Sequence, residues 1–175
     1  MCPRRTELDF RIEPLSSLHE RSSFASGVWA LDQYLHRQAG QERRKDVAAV
    51  FVATPDGVSV AGFYTLSAHA VKPDVLPSGM AKKMPYYDLL PTTLLGRLAV
   101  SNSYRGQGVG ELLLYHALEI AESANVRVAS TGVVVDAKDE GAKGFYLRYG
   151  FIELPLNPMR LFLPMKTIQA MIQKG

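Results

Sequence analysis

Arg105-Gly106-Gln107-Gly108-Val109-Gly110 constrains this chain more than any other stretch, because three alternating glycines run straight into Glu111-Leu112-Leu113-Leu114-Tyr115-His116-Ala117-Leu118. Glycine adopts backbone conformations closed to other residues, and the first N–H groups of a helix have no carbonyl to bind. A glycine turn that opens a helix therefore aims several N–H groups, with the positive end of the helix dipole, at one point. That point suits a diphosphate; taken in isolation, the same spacing also suits a plain flexible turn. Upstream, Leu94-Leu95-Gly96-Arg97-Leu98-Ala99-Val100 is strand-like and ends in Ser101-Asn102-Ser103, so the order is strand, loop, glycine turn, helix. The absence of Gly-Lys-Ser/Thr argues against a P-loop, and the spacing differs from the Gly-x-Gly-x-x-Gly fingerprint of dinucleotide binding.

The remaining chain reads as a mixed α/β, or α+β, layer fold. Leu8-Asp9-Phe10-Arg11-Ile12 alternates as a half-buried strand does, and Val28 to Arg44 shifts to helical spacing with Leu31, Leu35 and Ala39 on one stripe beside Tyr34. Val47–Ala53 and Ser59–Leu66 are strands around Thr54-Pro55-Asp56-Gly57, a turn whose proline and Asp-Gly supply the needed dihedrals. The Pro73–Pro91 stretch is too long for a tight turn, so a short helix lying over a site is expected there. Past the glycine turn, Gly108 to Ala124 carries Leu113, Ala117, Ile120 and Ala124 on one face, widened by Leu114, Leu118 and Ala121. Thr131–Val135 suits a buried strand. Asp136 to Asp139 caps a helix that runs to Tyr149 and stops at Gly150. Strands at Phe151–Leu154 and Met159–Leu163 and a helix from Pro164 to Gln173 close the chain.

Composition sets the class. A chain of 175 residues with 47% hydrophobic and 21% charged residues is expected to form one domain over 1–175 rather than to stay disordered. The single cysteine, Cys2, excludes an intramolecular disulfide and a Cys-based zinc site. The basic start is followed by no apolar segment, and no run approaches about 18 apolar residues, so the expectation is a cytoplasmic protein with neither signal peptide nor membrane span. His19, His36, His69 and His116 are scattered without metal-ligand spacing, so surface or turn roles are expected and no metal. A net charge of +3 is mild, but it is gathered at Arg43-Arg44-Lys45 and Lys82-Lys83. Those clusters suit either a solvated surface, including the negative end of a helix dipole, or contacts to nucleic-acid phosphates.

The Arg105/Gly108/Gly110 spacing resembles the Arg/Gln-x-x-Gly-x-Gly/Ala signature of the GNAT superfamily of acetyltransferases. Three further stretches resemble one branch of it, the acetyltransferase toxins of type II toxin-antitoxin pairs: Gly96-Arg97-Leu98-Ala99-Val100, Val135-Asp136-Ala137 and Phe145-Tyr146-Leu147-Arg148-Tyr149-Gly150-Phe151. Phe24 with Leu31-Asp32-Gln33-Tyr34-Leu35 is similar to the N-terminal motif of that branch. The resemblance implies a GNAT-like mixed central β-sheet flanked by helices on both faces, with acetyl-coenzyme A as cosubstrate. It implies that Leu98, Ala99 and Val100 pair through their backbone with the pantetheine arm, and that Arg105, Gly106, Gln107, Gly108, Val109 and Gly110 take the pyrophosphate. It further implies that Tyr146 lies near the thioester sulfur, where a phenol of pKa about 10 is available as a proton donor to the departing thiolate. The competing role for Tyr146 is packing between Phe145 and Tyr149.

Backbone N–H groups near Leu98 suit an oxyanion, and the strand from Leu94 to Val100 carries Arg97 but no carboxylate base. An α-amine, with pKa about 7.7–8.0, is partly neutral without help, whereas a lysine near about 10.4 is not. The acceptor expected from the resemblance is therefore the α-amino group of aminoacyl-tRNA, with Arg97, Lys82, Lys83, Arg43, Arg44 and Lys45 as candidate phosphate contacts. A small DNA-binding antitoxin is the expected partner, and a homodimer would double the basic surface. The alternatives are a GNAT enzyme acting on a free small amine or a protein N-terminus, and a coenzyme A- or nucleic-acid-binding module without catalysis.

Overall fold

The structure, a computed structural model, describes residues 9–175; Cys2 and Leu8 lie outside the described residues. Seven strands form one mixed sheet in the order β1-β2-β3-β4-β5-β7-β6: β1 Arg11–Pro14, β2 Ala49–Thr54, β3 Gly62–Val71, β4 Leu90–Val100, β5 Gly132–Asp136, β6 Ile152–Leu154 and β7 Asn157–Pro164. The pairs β1/β2, β5/β7 and β6/β7 are antiparallel, and β4/β5 is parallel. That parallel pair needs a crossover, which α4 (Val109–Asn125) supplies. By contacts the chain forms two compact units, one reaching to Thr65 and including Arg97–His116, the other comprising Leu66–Gly96 and Ala117–Gly175.

In the first unit, α1 (Trp29–Gln33), a π-helical turn (Tyr34–Gln38) and α2 (Ala39–Arg44) replace the single helix read from the sequence. The Ala39 N–H bonds the Tyr34 carbonyl five residues back, and the extra residue lets Tyr34, Leu35 and Ala39 all be buried. They join Leu15, Phe24, Val50, Val52, Phe63 and Ala99 in one core cluster, with Leu31 packed against it. The strand expected from Val47 begins at Ala49, because Asp46 takes a positive φ and the Val47 N–H is held by the Glu42 carbonyl. The strand expected from Ser59 begins at Gly62. Asp56 holds the N–H groups of Val58 and Ser59 in the turn at 2.8 and 2.7 Å, which also pulls its carboxyl down to a pKa of about 2.

In the second unit, Val71, Leu76, Leu90, Val134, Leu154 and Phe162 form a separate cluster. The Pro73–Pro91 stretch holds a 3₁₀ turn (Pro73–Val75) and the short α3 (Ser78–Ala81). Helix α5 (Glu140–Arg148) starts where Asp139 accepts from the Ala142 N–H at 2.7 Å, and α6 (Met165–Gln173) closes the chain. The apolar stripe of α4 is narrower than its spacing suggests: Leu113, Leu114, Ala117, Leu118 and Ala121 are buried, whereas Ala124 is exposed. Among the described residues no helix is long and apolar enough to cross a membrane.

Candidate active site

The glycine turn has the geometry its sequence calls for. Gly106 and Gly108 take φ of 76° and 78°, left-handed values that disfavour any side chain, and a Cβ placed on either would meet nothing within 4 Å. Crowding therefore does not explain these glycines; backbone conformation and open space above them do. The helix begins at Val109 rather than Gly108 because of that φ, and Leu112 is the first residue whose N–H finds a backbone acceptor, the Gly108 carbonyl at 3.1 Å. The N–H groups of Gly106 through Glu111 have no backbone acceptor among the described residues. Alternating backbone handedness followed by a helix start is a backbone arrangement suited to an anion, and Val109 beside it is buried to 2%.

The Arg105 guanidinium donates to the Ser26 carbonyl, which ties the turn to the N-terminal loop. That loop is held in turn: Asp32 accepts from the Ser26 N–H at 2.9 Å and its hydroxyl at 2.6 Å, and the Asn102 N–H donates to Ala25 at 2.7 Å. Sequence reasoning did not find this brace, since Ser26, Asp32 and Arg105 share no spacing rule.

Strand β4 ends beside the turn. Its ladder with β5 covers Thr93–Val133, Leu94–Val134 and Leu95–Val135, yet the strand runs on to Val100, so Leu98, Ala99 and Val100 extend past the paired residues. On β3, a Cβ at Gly62 would lie 2.8 Å from the Ala99 carbonyl, so glycine is required for the two backbones to close up. Arg97 is fixed rather than free: its guanidinium carbon lies 3.6 Å from the centre of the Tyr34 ring, and Nη1 is 3.9 Å from Glu42. The Tyr34 hydroxyl donates to the same carboxylate at 2.7 Å, and its other face stacks on Phe63 at 5.9 Å. Burial, then that hydrogen bond, push the Tyr34 phenol well above the usual tyrosine range.

In the second unit, Tyr146 lies on α5 with its ring edge-on to Phe145 at 5.2 Å and Phe151 at 5.4 Å. Gly150, at φ 91°, ends the helix, and the chain turns back so that the Phe151 N–H reaches the Tyr146 carbonyl at 3.3 Å. The ring is 6% exposed, and its hydroxyl has no hydrogen-bond partner among the described residues. Burial raises its pKa, which keeps the phenol protonated at neutral pH. Phe145 also contacts Tyr149, at 5.1 Å.

The basic candidates fall in two groups. Arg43, Arg44 and Lys45 are exposed at the end of α2, where Arg44 and Arg21 approach the Cα side of Gly40 together. Lys82 and Lys83 are exposed just past α3, in the other unit. The histidines form no metal cluster among the described residues. His19 sits in a turn but is buried against Glu13 at 2.7 Å, His36 bonds the Phe24 carbonyl, and His116 bonds the Tyr64 hydroxyl at 2.7 Å. His19 thus keeps the expected turn role but is buried, whereas His36 and His116 are half-buried and hydrogen-bonded rather than free on the surface. His69 Nε2 is buried without a partner among the described residues.

The model of the acetyltransferase (GNAT) domain matches residues 46–153. A protein of Mycobacterium tuberculosis named tRNA-acetylating toxin is 33% identical over 158 residues, 90% of this chain and 93% of its own length. The solved structure of AtaT complexed with acetyl-methionyl-tRNAfMet superposes with a TM-score of 0.87 at 32% identity, covering 94% of this chain and 99% of that one. A tyrosine-to-phenylalanine mutant of the AtaT toxin, bound to the C-terminus of the antitoxin AtaR and acetyl-CoA, does so with a TM-score of 0.80 at 28% identity, covering 94% and 99%. A helix-opening glycine turn beside an overhanging β4, on a chain matched across residues 46–153, gives the conclusion: the protein belongs to the GNAT acetyltransferase family.

Proposed function

We propose that this protein is an acetyl-coenzyme A-dependent N-acetyltransferase whose acceptor is the α-amino group of aminoacyl-tRNA. In this reading it blocks translation as a toxin, acts in the cytoplasm where its acceptor is found, and is restrained by a small DNA-binding antitoxin. Residues 1–175 then act as one acetyltransferase domain. The observation that carries the reading is the row of N–H groups from Gly106 to Glu111 that lack a backbone acceptor among the described residues, with open space at Gly106 and Gly108, on a chain similar over nine-tenths of its length to a tRNA-acetylating toxin. Those donors fit a diphosphate and need no side-chain cation at that point.

Bound acetyl-coenzyme A supplies a thioester carbonyl for the amine. The residues of the chain do the rest. The overhanging backbone of Leu98, Ala99 and Val100 pairs with the pantetheine arm, and an N–H near Leu98 donates to the carbonyl oxygen. Tyr146 gives its hydroxyl proton to the sulfur as the carbon–sulfur bond breaks, and burial keeps that proton in place beforehand. The α-amine, with pKa about 7.7–8.0, is partly neutral near pH 7, and the proton that its nitrogen loses on forming the amide passes through water to the Tyr146 phenolate, which restores the phenol. Arg97, held by Tyr34 and Glu42, together with Arg43, Arg44, Lys45, Lys82 and Lys83, supplies cations for the tRNA phosphates.

Acetyl transfer to purified aminoacyl-tRNA, with free amines as competitors, tests the acceptor; faster transfer to the free amine rejects it. Gly108→Glu tests the cofactor site, since it sets a side chain and a negative charge where the diphosphate approaches. Calorimetry on the folded variant is expected to show no acetyl-coenzyme A binding, and unchanged affinity would remove the site's anchor. Transfer to tRNA is also expected to weaken as salt rises, with a shallower slope when Lys82 and Lys83 are both replaced.

A further inference from the structure

The segment between β3 and β4 is firmly seated yet leaves its largest side chains in water. Leu76 and Leu90 are buried in the cluster with Val71 and Phe162, and Val75, Met80, Ala81 and Met84 pack against it. Backbone bonds from Lys82 to Ser78, Lys83 to Met80 and Met84 to Ala81, at 3.1 to 3.2 Å, wind the middle of the segment. Pro85 follows and is exposed. Directly after it Tyr86 is 101% exposed and Tyr87 66%, followed by Leu89 at 56%. Neither tyrosine contacts another ring or makes a hydrogen bond among the described residues, although a core cluster lies within the same segment.

We propose that Tyr86 and Tyr87 form a stacking platform for the unpaired 3′ end of an RNA, with Lys82 and Lys83 binding its phosphates; the identity of that RNA as the acceptor rests on the aminoacyl-tRNA reading above. Charge and shape select this occupant. Aromatic faces accept any base of a single strand, whereas the stacked bases of a duplex offer them nothing. Lys82 and Lys83 make no ion pair among the described residues, so their charge is available to a backbone of phosphates. Asp88 is the acidic neighbour in sequence, and its charge disfavours a phosphate on its own side of the tyrosines. A second copy of the chain fits less well, because lysine is depleted from the buried centre of protein interfaces and two of them border the tyrosines.

The test compares wild type with Tyr86→Ala/Tyr87→Ala and with Tyr86→Phe/Tyr87→Phe, which keeps both ring faces. Three readouts are needed: KM and kcat on aminoacyl-tRNA, the same constants on an aminoacylated adenosine that lacks upstream nucleotides, and binding of a short unpaired RNA ending in CCA. The alanine pair is expected to raise KM for aminoacyl-tRNA and to weaken oligonucleotide binding by about tenfold or more, the usual effect of losing a base–aromatic stack. Constants on the aminoacylated adenosine and kcat should hold, and the phenylalanine pair should restore binding. Wild-type oligonucleotide binding by the alanine pair overturns the proposal. So does an equal loss on the aminoacylated adenosine, or a change in sedimentation that marks the patch as an interface between copies. If wild type acetylates no aminoacyl-tRNA, the functional reading fails, and oligonucleotide binding still decides the platform by itself.

Discussion

Two aromatic clusters, one in each unit, bury a tyrosine to nearly the same degree and treat its hydroxyl in opposite ways. Tyr34 is 2% exposed and Tyr146 6%. The first is fully engaged: Phe63 on one face, Arg97 on the other, and Glu42 on the hydroxyl. The second is gripped by Phe145 and Phe151 but its hydroxyl has no partner among the described residues. Burial raises both pKa values, and at Tyr34 the carboxylate adds to the effect. An engaged hydroxyl adds a hydrogen bond to stability, whereas one without a partner adds none. The Tyr34 cluster holds the Arg97 cation in place, and the proposed proton-donor role of Tyr146 needs a hydroxyl that no neighbour has claimed.

Replacing each hydroxyl by hydrogen is the sharpest way to test this contrast. Tyr146→Phe should lower kcat by about 10²–10⁴-fold, the range for a positioned general acid, with acetyl-coenzyme A affinity retained. Near-normal kcat in the folded variant would return Tyr146 to a packing role and erase the contrast. Tyr34→Phe should act on stability instead, costing about 1–2 kcal/mol in chemical denaturation, because Glu42 loses a charge-assisted hydrogen bond. Tyr146→Phe should cost less than that, since no hydrogen bond is lost; a larger loss than that of Tyr34→Phe would reverse the assignment of the two clusters.

The smallest effect lies at alkaline pH. Unfolded tyrosine ionises near about 10, whereas both folded phenols keep their protons to higher pH. Above about pH 10 the native state therefore binds more protons than the unfolded state, and stability falls as pH rises. Below that pH both states are protonated and the contribution is constant. Either Tyr→Phe variant should flatten the alkaline limb of a stability-against-pH curve, and an unchanged limb in both would show that the phenols titrate as if exposed.

Much of the fold was legible because it depends on neighbours in sequence. Gly106 and Gly108 announce left-handed backbone, Asp139 a helix start and Gly150 a helix stop, and each is found in that role. Boundaries were missed where a local hydrogen bond outweighed propensity, as when Asp56 drew Val58 and Ser59 into the turn. Helical periodicity also missed the π-helical turn, whose cause is the demand of the core for both Tyr34 and Ala39.

The residues by themselves determined the left-handed backbone of the glycine turn and the order in which strand, turn and helix follow, since those properties arise from backbone conformation over a few positions. Only the tertiary structure decided what each functional side chain does. Arg105 is engaged by a carbonyl 79 residues away, Arg97 by Tyr34 and Glu42, and the Tyr146 hydroxyl by no group among the described residues, whereas Tyr86 stands in water. The physical reason is that a side chain's partners are chosen when distant segments close on one another, and no rule of spacing along the chain records which ones meet.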